Sequence, residues 1–346
     1  MAAPVTVRTI AEQAAVSIGT VSRVLNNHGN VNAELRQRVL RVAAELGYER
    51  SARPARGLRE IFFMFHPHDG QYSPAANPFW SHILAGVEGA ARERGMHVSY
   101  RCLVDAWQPS DPLFDTLRAS DSAGVLLVGP APLELVKTFQ QTLAPLVLVD
   151  HHVPRQEVDS VLGDNVNGAR EAVEQLIAAG HRRIALIGGP TLYQPGPRNT
   201  IYTIEQRALG YRAALLGAGL AVDPDLYEAG TLEIEGGYAA TTRLLDRGAP
   251  FTALFCANDH TAVGAIKALA ERGLRVPADI SVVGFDDIEL AEHLTPALST
   301  VRVDKETMGR VAVQCLLDRA ADPARPHPSL ALDLSFIPRG TIAPPR

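Results

Sequence analysis

From Ile61 onward, short apolar runs alternate with amphipathic helical segments, and this alternation restricts the chain to a small set of folds. The apolar runs have the length of buried strands, and they occupy residues 61–65, 98–103, 124–128, 146–149, 184–187, 253–256 and 280–284. Strands that alternate with helices form parallel sheets covered on both faces. About 285 residues exceed one sheet of this kind, so the alternation predicts two α/β lobes.

The first sixty residues contain three short helical patterns instead. Thr6 and Ser17 are N-cap candidates for the first two helices, and Asn32 is the candidate for the third. Only Ala15 and Val16 separate the first helix from the second, which leaves room for nothing but a tight turn. The pattern therefore predicts a small all-α unit at the N-terminus.

The outward face of the second helix is mostly small or polar, and it consists of Ile18, Gly19, Thr20, Ser22, Arg23, Asn26 and Asn27. Short side chains near its start would let the helix approach base edges closely, and Thr20, Ser22 and Arg23 can donate to phosphates or bases. This is the geometry of a recognition helix in a helix-turn-helix. Spacing alone leaves open a generic three-helix bundle with a polar face.

Charge is divided unevenly along the chain. Residues 1–60 hold nine Arg, no Lys and five Glu, a net charge of +4, whereas the remaining residues carry a net charge of −9. A small basic segment on a large acidic body indicates that only the N-terminal end meets a polyanion.

Several functional classes lack their sequence signals. The three cysteines, Cys102, Cys256 and Cys315, match neither a disulfide framework nor a metal-ligand spacing. No apolar run approaches the roughly 18 residues of a membrane helix, and residues 1–8 do not form a secretory signal. Nucleotide-binding and hydrolase motifs are missing as well. We expect a cytoplasmic protein that is not an enzyme and has no metal, cofactor or membrane partner.

Residues 6–26 closely resemble the headpiece of the lactose-repressor (LacI/GalR) family, above all in the run TVSRVLN at residues 20–26. Residues 31–40 and 45–48 resemble the continuation of that headpiece. The resemblance implies that Ile18, Gly19 and Arg23 face the major groove of operator DNA. Ala15 stands where the family usually has Gly in the turn, and a left-handed backbone there would cost about 1 kcal/mol.

The predicted hinge, residues 49–60, departs from the family pattern. Arg50 and Ser51 replace Pro-Asn, Pro54 replaces Ala, and the Leu that enters the minor groove, Leu58, arrives one residue late. A helix capped by Ser51 is compatible with Pro54 in its first turn. A flexible Arg-rich linker fits the same residues, and the sequence leaves both possibilities open.

The body resembles the same family along most of its length, for example in LIAAGHRRIA at residues 176–185, RALGYR at 207–212 and VPADISVVGFDD at 276–287. The implied architecture is α/β, with an all-α helix-turn-helix headpiece (1–48) and a two-lobed periplasmic-binding-protein-like domain (61–346). Three crossovers near residues 160, 290 and 325 would assign residues 61–160 and 291–325 to lobe 1. Residues 161–290 and 326–346 would form lobe 2.

Three polar residues each follow a predicted strand: Asp150, Asn258 and Asp286. Ligands of open α/β sheets bind beyond the carboxyl ends of the strands, so these residues are predicted to face a cleft. Carboxylate and amide groups suit a polyhydroxylated ligand because each can make paired hydrogen bonds to adjacent hydroxyls.

By resemblance, Arg207, Asn258 and Asp286 match the effector contacts of the family, and Phe79 and Trp80 match an aromatic position that covers the ligand. Leu232 and Val128 stand where relatives have an aromatic and an Asn, so the ligand cannot be carried over from a relative. Simpler roles were also open from the sequence: a core position for Trp80, and helix capping for Asn258, Asp259 and Asp287.

We therefore expect a homodimeric transcriptional repressor that binds double-stranded operator DNA and responds to a small, sugar-like effector. A purine, a nucleoside or a protein co-regulator is an alternative effector. A free solute-binding protein of a transporter is a more remote alternative, because such a protein needs a signal peptide and no headpiece.

Overall fold

The computed structural model describes residues 6–25, 32–46, 57–66, 78–103, 111–120, 122–188 and 201–346. The chain divides into two compact units, Met1–Arg56 and Gly57–Arg346, which we call the headpiece and the body. Asn26, Asn27 and residues 49–56 of the predicted hinge lie outside the described residues. In the described part of the chain, no helix is both long and apolar enough to cross a membrane.

The described residues of the headpiece form three helices, and they are α1 (Val7–Gln13), α2 (Ile18–Leu25) and α3 (Ala33–Glu45). All three predicted caps are in place. Thr6 forms a reciprocal capping box with Thr9, the Ser17 hydroxyl accepts from Thr20 N at 3.0 Å, and Asn32 Oδ1 accepts from Glu34 N at 2.8 Å. The helices bury a small apolar core: Ile10, Ala11, Ala14, Val21, Val24, Val39, Val42 and Ala43.

The turn between α1 and α2 contains Ala15 in the left-handed region, with φ +50°. The amide of Ala15 donates to Glu12 O at 3.3 Å, and that of Val16 donates to Ala11 O at 3.0 Å. The conformation that glycine adopts most readily is thus taken by alanine, at a cost of about 1 kcal/mol.

Lobe 1 of the body is built on a parallel sheet with the strand order β11-β5-β4-β3-β1-β2. Its strands are β1 (Glu60–Phe65), β2 (His97–Cys102), β3 (Ala123–Val128), β4 (Leu146–Val149), β5 (Asp159–Gly163) and β11 (Ser329–Leu332). Its helices are α4 (Pro78–Glu93), α5 (Pro112–Ala119), α6 (Leu133–Gln140) and α12 (Lys305–Ala321). Apolar side chains are buried on both faces of this sheet, as the sequence pattern predicts.

Lobe 2 is built on a second parallel sheet with the order β7-β6-β8-β9. Its strands are β6 (Ile184–Gly188), β7 (Tyr227–Ala229), β8 (Ala253–Cys256) and β9 (Ser281–Val283). Its helices are α7 (Asn165–Ala178), α8 (Tyr202–Gly217), α9 (Ile234–Arg247), α10 (Asp259–Glu271) and α11 (Glu289–His293). An antiparallel pair, β10 (Thr300–Arg302) and β12 (Ser335–Ile337), adjoins it through a bridge between Val283 and Ser299. These two sheets confirm the predicted two-lobed α/β architecture.

Two of the three crossovers between the lobes lie later in the chain than predicted. The first agrees with the prediction near residue 160, because β5 ends at Gly163. The second crossover follows Arg302 instead of residue 290, because Ser299 and Arg302 bridge to Val283 and Asp286 in lobe 2. The third follows β11 instead of residue 325, because β11 pairs with β5.

Leu58, the predicted minor-groove wedge, is buried in the body rather than exposed to solvent. Its side chain is only 9% exposed and belongs to the apolar core of lobe 1. The backbone that follows it is already part of the sheet edge, since the amides of Arg59 and Glu60 donate to Ser122 O at 2.8 and 3.2 Å. Only Arg59 separates Leu58 from β1, so its placement follows from the strand rather than from a hinge.

Candidate functional site

A cleft lies where the carboxyl ends of strands from both lobes meet, and it encloses about 590 Å³ of space, part of it open to solvent. Its lining residues are Phe79, Trp80, Pro130, Asp150, Ile201, Thr203, Ile204, Arg207, Leu232, Asn258, His260, Asp286 and Ile288. All six candidate effector residues are among them. Topology explains the convergence, because β3 and β4 in lobe 1 and β8 and β9 in lobe 2 end at this cleft.

Arg207 on α8 is the buried cation of the cleft, with 3% of its surface exposed. Its Nε donates to Asn165 Oδ1 at 2.8 Å, and its Nη1 donates to Ala257 O at 2.7 Å. The guanidinium carbon lies 3.8 Å from the centre of the Phe285 ring. These contacts fix the guanidinium plane and aim Nη2 at Asp286, 3.0 Å away.

Asp286, beyond the end of β9, retains an unused acceptor despite this ion pair. Its Oδ1 lies 3.0 Å from Arg207 Nη2, and this buried oxygen has no other partner among the described residues. Burial raises the pKa of Asp286, while the charges of Arg207 and Lys305 oppose that rise. The residue adopts φ +103°, a strained conformation of the kind that concentrates at functional sites.

Asp150, directly after β4, is the second acid of the cleft. It adopts φ +53°, its side chain is buried, and no described group donates a hydrogen bond to its carboxylate. Burial raises its pKa to about 7; the charge of Arg207 opposes the rise and the charge of Asp286 adds to it. The cleft thus contains two buried carboxylates with acceptors that a ligand can satisfy.

Asn258 combines two of the roles considered for it. Its Oδ1 caps α10 by accepting from Thr261 N at 2.9 Å, and its amide nitrogen donates to Leu232 O at 2.9 Å while the residue lines the cleft. Asp259 does not cap that helix. Its buried carboxylate accepts from Ile288 N at 2.9 Å and from the Thr300 hydroxyl at 2.6 Å, so it fixes the backbone around Asp286.

Asp287 is not a helix cap either. Its carboxylate pairs with Arg302 Nε and Arg339 Nη2, each at 2.7 Å. Asp287 therefore ties the loop after β9 to the segments that carry β10 and follow β12.

The lobe 1 wall of the cleft is aromatic. Phe79 and Trp80 begin α4, with ring centres 4.8 Å apart and nearly perpendicular planes, and Trp80 also lies 5.4 Å from the Phe65 ring. Phe79 is buried, whereas Trp80 is partly exposed to the cleft. Both are thus part of the lobe 1 core and part of the cleft wall.

The lobe 2 wall is aliphatic, with Ile201, Ile204 and Leu232 packed together. Sequence reasoning named Leu232 but missed the two isoleucines and His260, although His260 adjoins the Asn258 motif. Val128 does not line the cleft, because its side chain is fully buried in lobe 1.

The headpiece carries the second candidate site, on the first turn of α2. Ile18 is 49% exposed, and a Cβ added to Gly19 would meet only Ser17 Oγ, at 3.7 Å. Thr20 is half-buried beside the Ser17 cap, with their hydroxyl oxygens 2.9 Å apart. This turn therefore offers a close approach to its backbone. Ser22 and Arg23 lie on the same helix, one turn further along.

Within the described ranges, no three His, Cys, Asp or Glu side chains converge as ligands for a metal ion. The neighbouring His151 and His152 lie in different environments. His151 is buried, and this burial lowers its pKa to about 4, whereas His152 Nδ1 lies 3.2 Å from Ser160 Oγ. The described lining of the cleft thus consists of hydrogen-bonding and apolar side chains.

Both units match models of known protein families. Residues 6–51 match the bacterial regulatory proteins of the lacI family, and residues 173–342 match a periplasmic binding protein-like domain. Together with the fold, these matches define a DNA-binding regulator whose body is built to bind a small molecule.

Individual relatives narrow the class. The chain is 34% identical to the ribose operon repressor of Haemophilus influenzae, over 97% of this chain and 98% of the relative. The structure of the transcriptional regulator CelR in complex with cellobiose is 33% identical, with a TM-score of 0.73 and coverage of 97% and 99%. The lac repressor dimer bound to operator and the anti-inducer ONPF is 27% identical, with a TM-score of 0.70 and coverage of 98% and 99%. The chain belongs to the lacI family of bacterial regulatory proteins.

Proposed function

We propose that the protein is a dimeric repressor whose affinity for operator DNA changes when a neutral, polyhydroxylated effector binds in the cleft. The observation that carries the proposal is the pair of buried carboxylates, Asp150 and Asp286, that line the cleft together with Arg207. Unsatisfied buried acceptors are costly, and ligand hydroxyls satisfy them.

The charge and walls of the cleft support a neutral sugar. Arg207 is already engaged by Asp286 and Asn165, so it offers little to an anionic sugar such as a uronate or a sugar phosphate. The flat rings of Phe79 and Trp80 face the aliphatic side chains across the cleft, and a sugar ring has apolar faces for both walls. One relative is named a ribose operon repressor, and the structure of another is a complex with cellobiose. Both names agree with a neutral sugar as the ligand.

Operator recognition is assigned to the headpiece. The exposed first turn of α2 supplies Ile18 and Gly19, and by family resemblance Arg23 reaches a base edge. Thr6, Ser17, Thr20, Ser22 and Asn26 are proposed to contact phosphates or bases beside them. Because a DNA-binding regulator acts where its operator is, we place the protein in the cytoplasm and assign it binding rather than catalysis.

The effector is proposed to act through the angle between the two lobes. A ligand that bonds Asp150 of lobe 1 together with Asp286 of lobe 2 binds a closed arrangement more tightly than an open one. In a dimer, a change in lobe angle alters the separation of the two headpieces, which fit both half-sites of an operator at one separation only. Operator affinity then changes by the differential affinity of the effector for the two arrangements.

The test begins with selection of an operator from random double-stranded DNA by the full chain. Operator affinity is then measured with ribose, cellobiose, galacturonate and a purine nucleoside, each added alone. We expect a neutral sugar to change the Kd for operator at least fivefold, and the Asp286→Asn variant to bind operator normally but not respond. A response to galacturonate or to the nucleoside, and to no neutral sugar, would contradict the assigned effector class.

The same selected operator tests the headpiece assignment. Arg23→Ala should weaken operator binding about fivefold or more, because one good base contact contributes about 1–3 kcal/mol. Arg38→Ala, on the exposed side of α3, should leave the selected sequence unchanged. If Arg23→Ala binds as well as the parent chain, α2 is not the recognition helix.

A further inference from the structure

Lys305, the first residue of α12, is the one buried lysine of a chain that contains three lysines and thirty arginines. Its ammonium group donates to three backbone carbonyls: Asp286 O at 2.5 Å, Asp287 O at 3.1 Å and Val303 O at 3.3 Å. An ammonium has three N–H donors that point outward from one nitrogen, and here each has a carbonyl partner. The planar guanidinium of an arginine does not match acceptors arranged in this way.

Two of these carbonyls belong to the lobe 2 loop that carries an acid of the cleft. Asp286 and Asp287 both have positive φ, and the amide of Asp286 donates to Val301 O at 2.8 Å. Lys305 therefore holds a strained stretch of backbone whose side chain, Asp286, faces Arg207.

The helix that carries Lys305 is fixed to lobe 1. A Cβ at Gly309 would lie 2.3 Å from Ile83 O, and a Cβ at Gly86 would lie 2.1 Å from Glu306 O, so α12 and α4 meet backbone to backbone. Helix α4 also supplies Phe79, whose ring centre lies 5.9 Å from Lys305 Nζ. One side chain thus connects the rigid helix pair of lobe 1 to the acidic loop of lobe 2, directly beside the second crossover.

The position of Lys305 is unfavourable by the usual preferences for helix ends and for buried charges. A cation at the first residue of a helix opposes the helix dipole, and burial lowers the pKa of the Lys305 ammonium. The negative charges of Asp286, Asp259 and Asp287 offset part of that cost. A residue that breaks local preferences in this way is expected where the fold has a functional requirement.

We propose that Lys305 is a positioning residue that ties the loop of Asp286 to α12, so that a ligand bound by Asp286 acts on the crossover between the lobes. The link between loop and helix stands on the geometry alone, and only its role in the response rests on the proposed function.

Hydrogen–deuterium exchange on the full chain without any effector tests the link. In Lys305→Met, which keeps the length of the side chain, we expect the amides of residues 285–288 to exchange about tenfold to a hundredfold faster, because bonds to a charged donor are lost. Amides of β8 should be unchanged. The matched control is Lys267→Met, which removes an exposed lysine of α10 and should alter neither segment.

A second measurement separates positioning from general stability. Since the Lys305 charge lowers the pKa of Asp286, Lys305→Met should raise that pKa in an NMR titration of the carboxyl carbon. Unchanged exchange at 285–288, an equal increase in both segments, or an unaltered pKa of Asp286 would overturn the proposal. Because neither measurement uses an effector, a failure of sugars to alter operator binding would refute the proposed function and leave this test intact.

Discussion

The headpiece and the cleft use polar side chains in opposite ways. In the headpiece, Thr6 and Ser17 are exposed and bond the first turn of the helix that follows them. In the cleft, Arg207 and Asp286 are buried and bond groups that lie far away in the chain. A local cap contributes about 1 kcal/mol by itself, whereas a buried charge depends on every partner around it. Substitutions should therefore have small, separable effects in the headpiece and large, coupled effects in the cleft.

The largest expected effect is that of Arg207→Ala. Removing this guanidinium leaves Asp286 and Asp150 buried without their nearest cation, so the free energy of unfolding of the body should fall by about 3–5 kcal/mol. Urea-induced unfolding of the full chain measures the change. The control is Arg170→Ala on the exposed face of α7, where the pair with Glu174 spans 3.5 Å and the loss should stay below about 0.5 kcal/mol. Equal losses for the two variants would show that the cleft charges behave like surface charges.

Leu58→Ala tests the boundary between the two regions. As a core residue, Leu58 should contribute about 2–3 kcal/mol to the stability of the body, and operator affinity of the folded variant should stay within twofold of the parent. The exposed Leu143, which is 62% exposed, supplies the control, because its change to alanine should cost almost nothing. Unchanged stability combined with a loss of operator affinity would restore the wedge role that the sequence suggested.

Asp150 gives the cleft a pH dependence that the headpiece should lack, and Asp150→Asn tests it. Burial raises the pKa of Asp150 from 3.8 to about 7, so between those values the folded chain holds a proton that the unfolded chain has lost. Stability contributed by the protonated acid is therefore present below about pH 4 and lost as the pH rises to about 7.

Asparagine cannot ionise, so the Asp150→Asn variant does not lose this stability as the pH rises. The variant should match the parent near pH 4 and exceed its free energy of unfolding by about 1–3 kcal/mol near pH 8, while sugar binding weakens. Urea titrations at both pH values provide the measurement, with the exposed Asp115→Asn as control. A difference that does not grow with pH would mean that Asp150 is solvated in the cleft.

The same contrast explains how much the sequence could predict. The caps at Thr6, Ser17 and Asn32 depend on neighbours within three residues, so the helices they begin follow from local rules. The positions of Asp150 and Asp286 followed from topology, because the carboxyl ends of parallel strands meet at one edge.

Features that depend on tertiary pairing were beyond reach. The second and third crossovers were misplaced because β10 and β11 are only three and four residues long, and their pairing assigns them to a lobe. The family motif predicts a hinge role for Leu58, whereas its burial depends on the start of β1. Asn165 and Lys305 orient the cleft through contacts with residues 42 and 19 positions away, which no local pattern encodes.

The smallest predicted effect, Ala15→Gly, tests whether the headpiece responds to single changes independently. Ala15 holds φ +50°, so glycine should stabilise the turn between α1 and α2 by about 1 kcal/mol, even though it adds freedom to the unfolded chain. Hydrogen exchange of the α1 and α2 amides should slow about fivefold, with no change in the amides of the body.

Gln37→Gly is the matched control for Ala15→Gly, since it places the same residue in the exposed middle of α3, where it should cost about 1 kcal/mol. The double variant should show the sum of the two effects, because the sites share no hydrogen bond and each acts on its own backbone. A marked departure from additivity would mean that the three-helix core is as tightly coupled as the charged cleft, and the contrast between the two regions would fail at the headpiece.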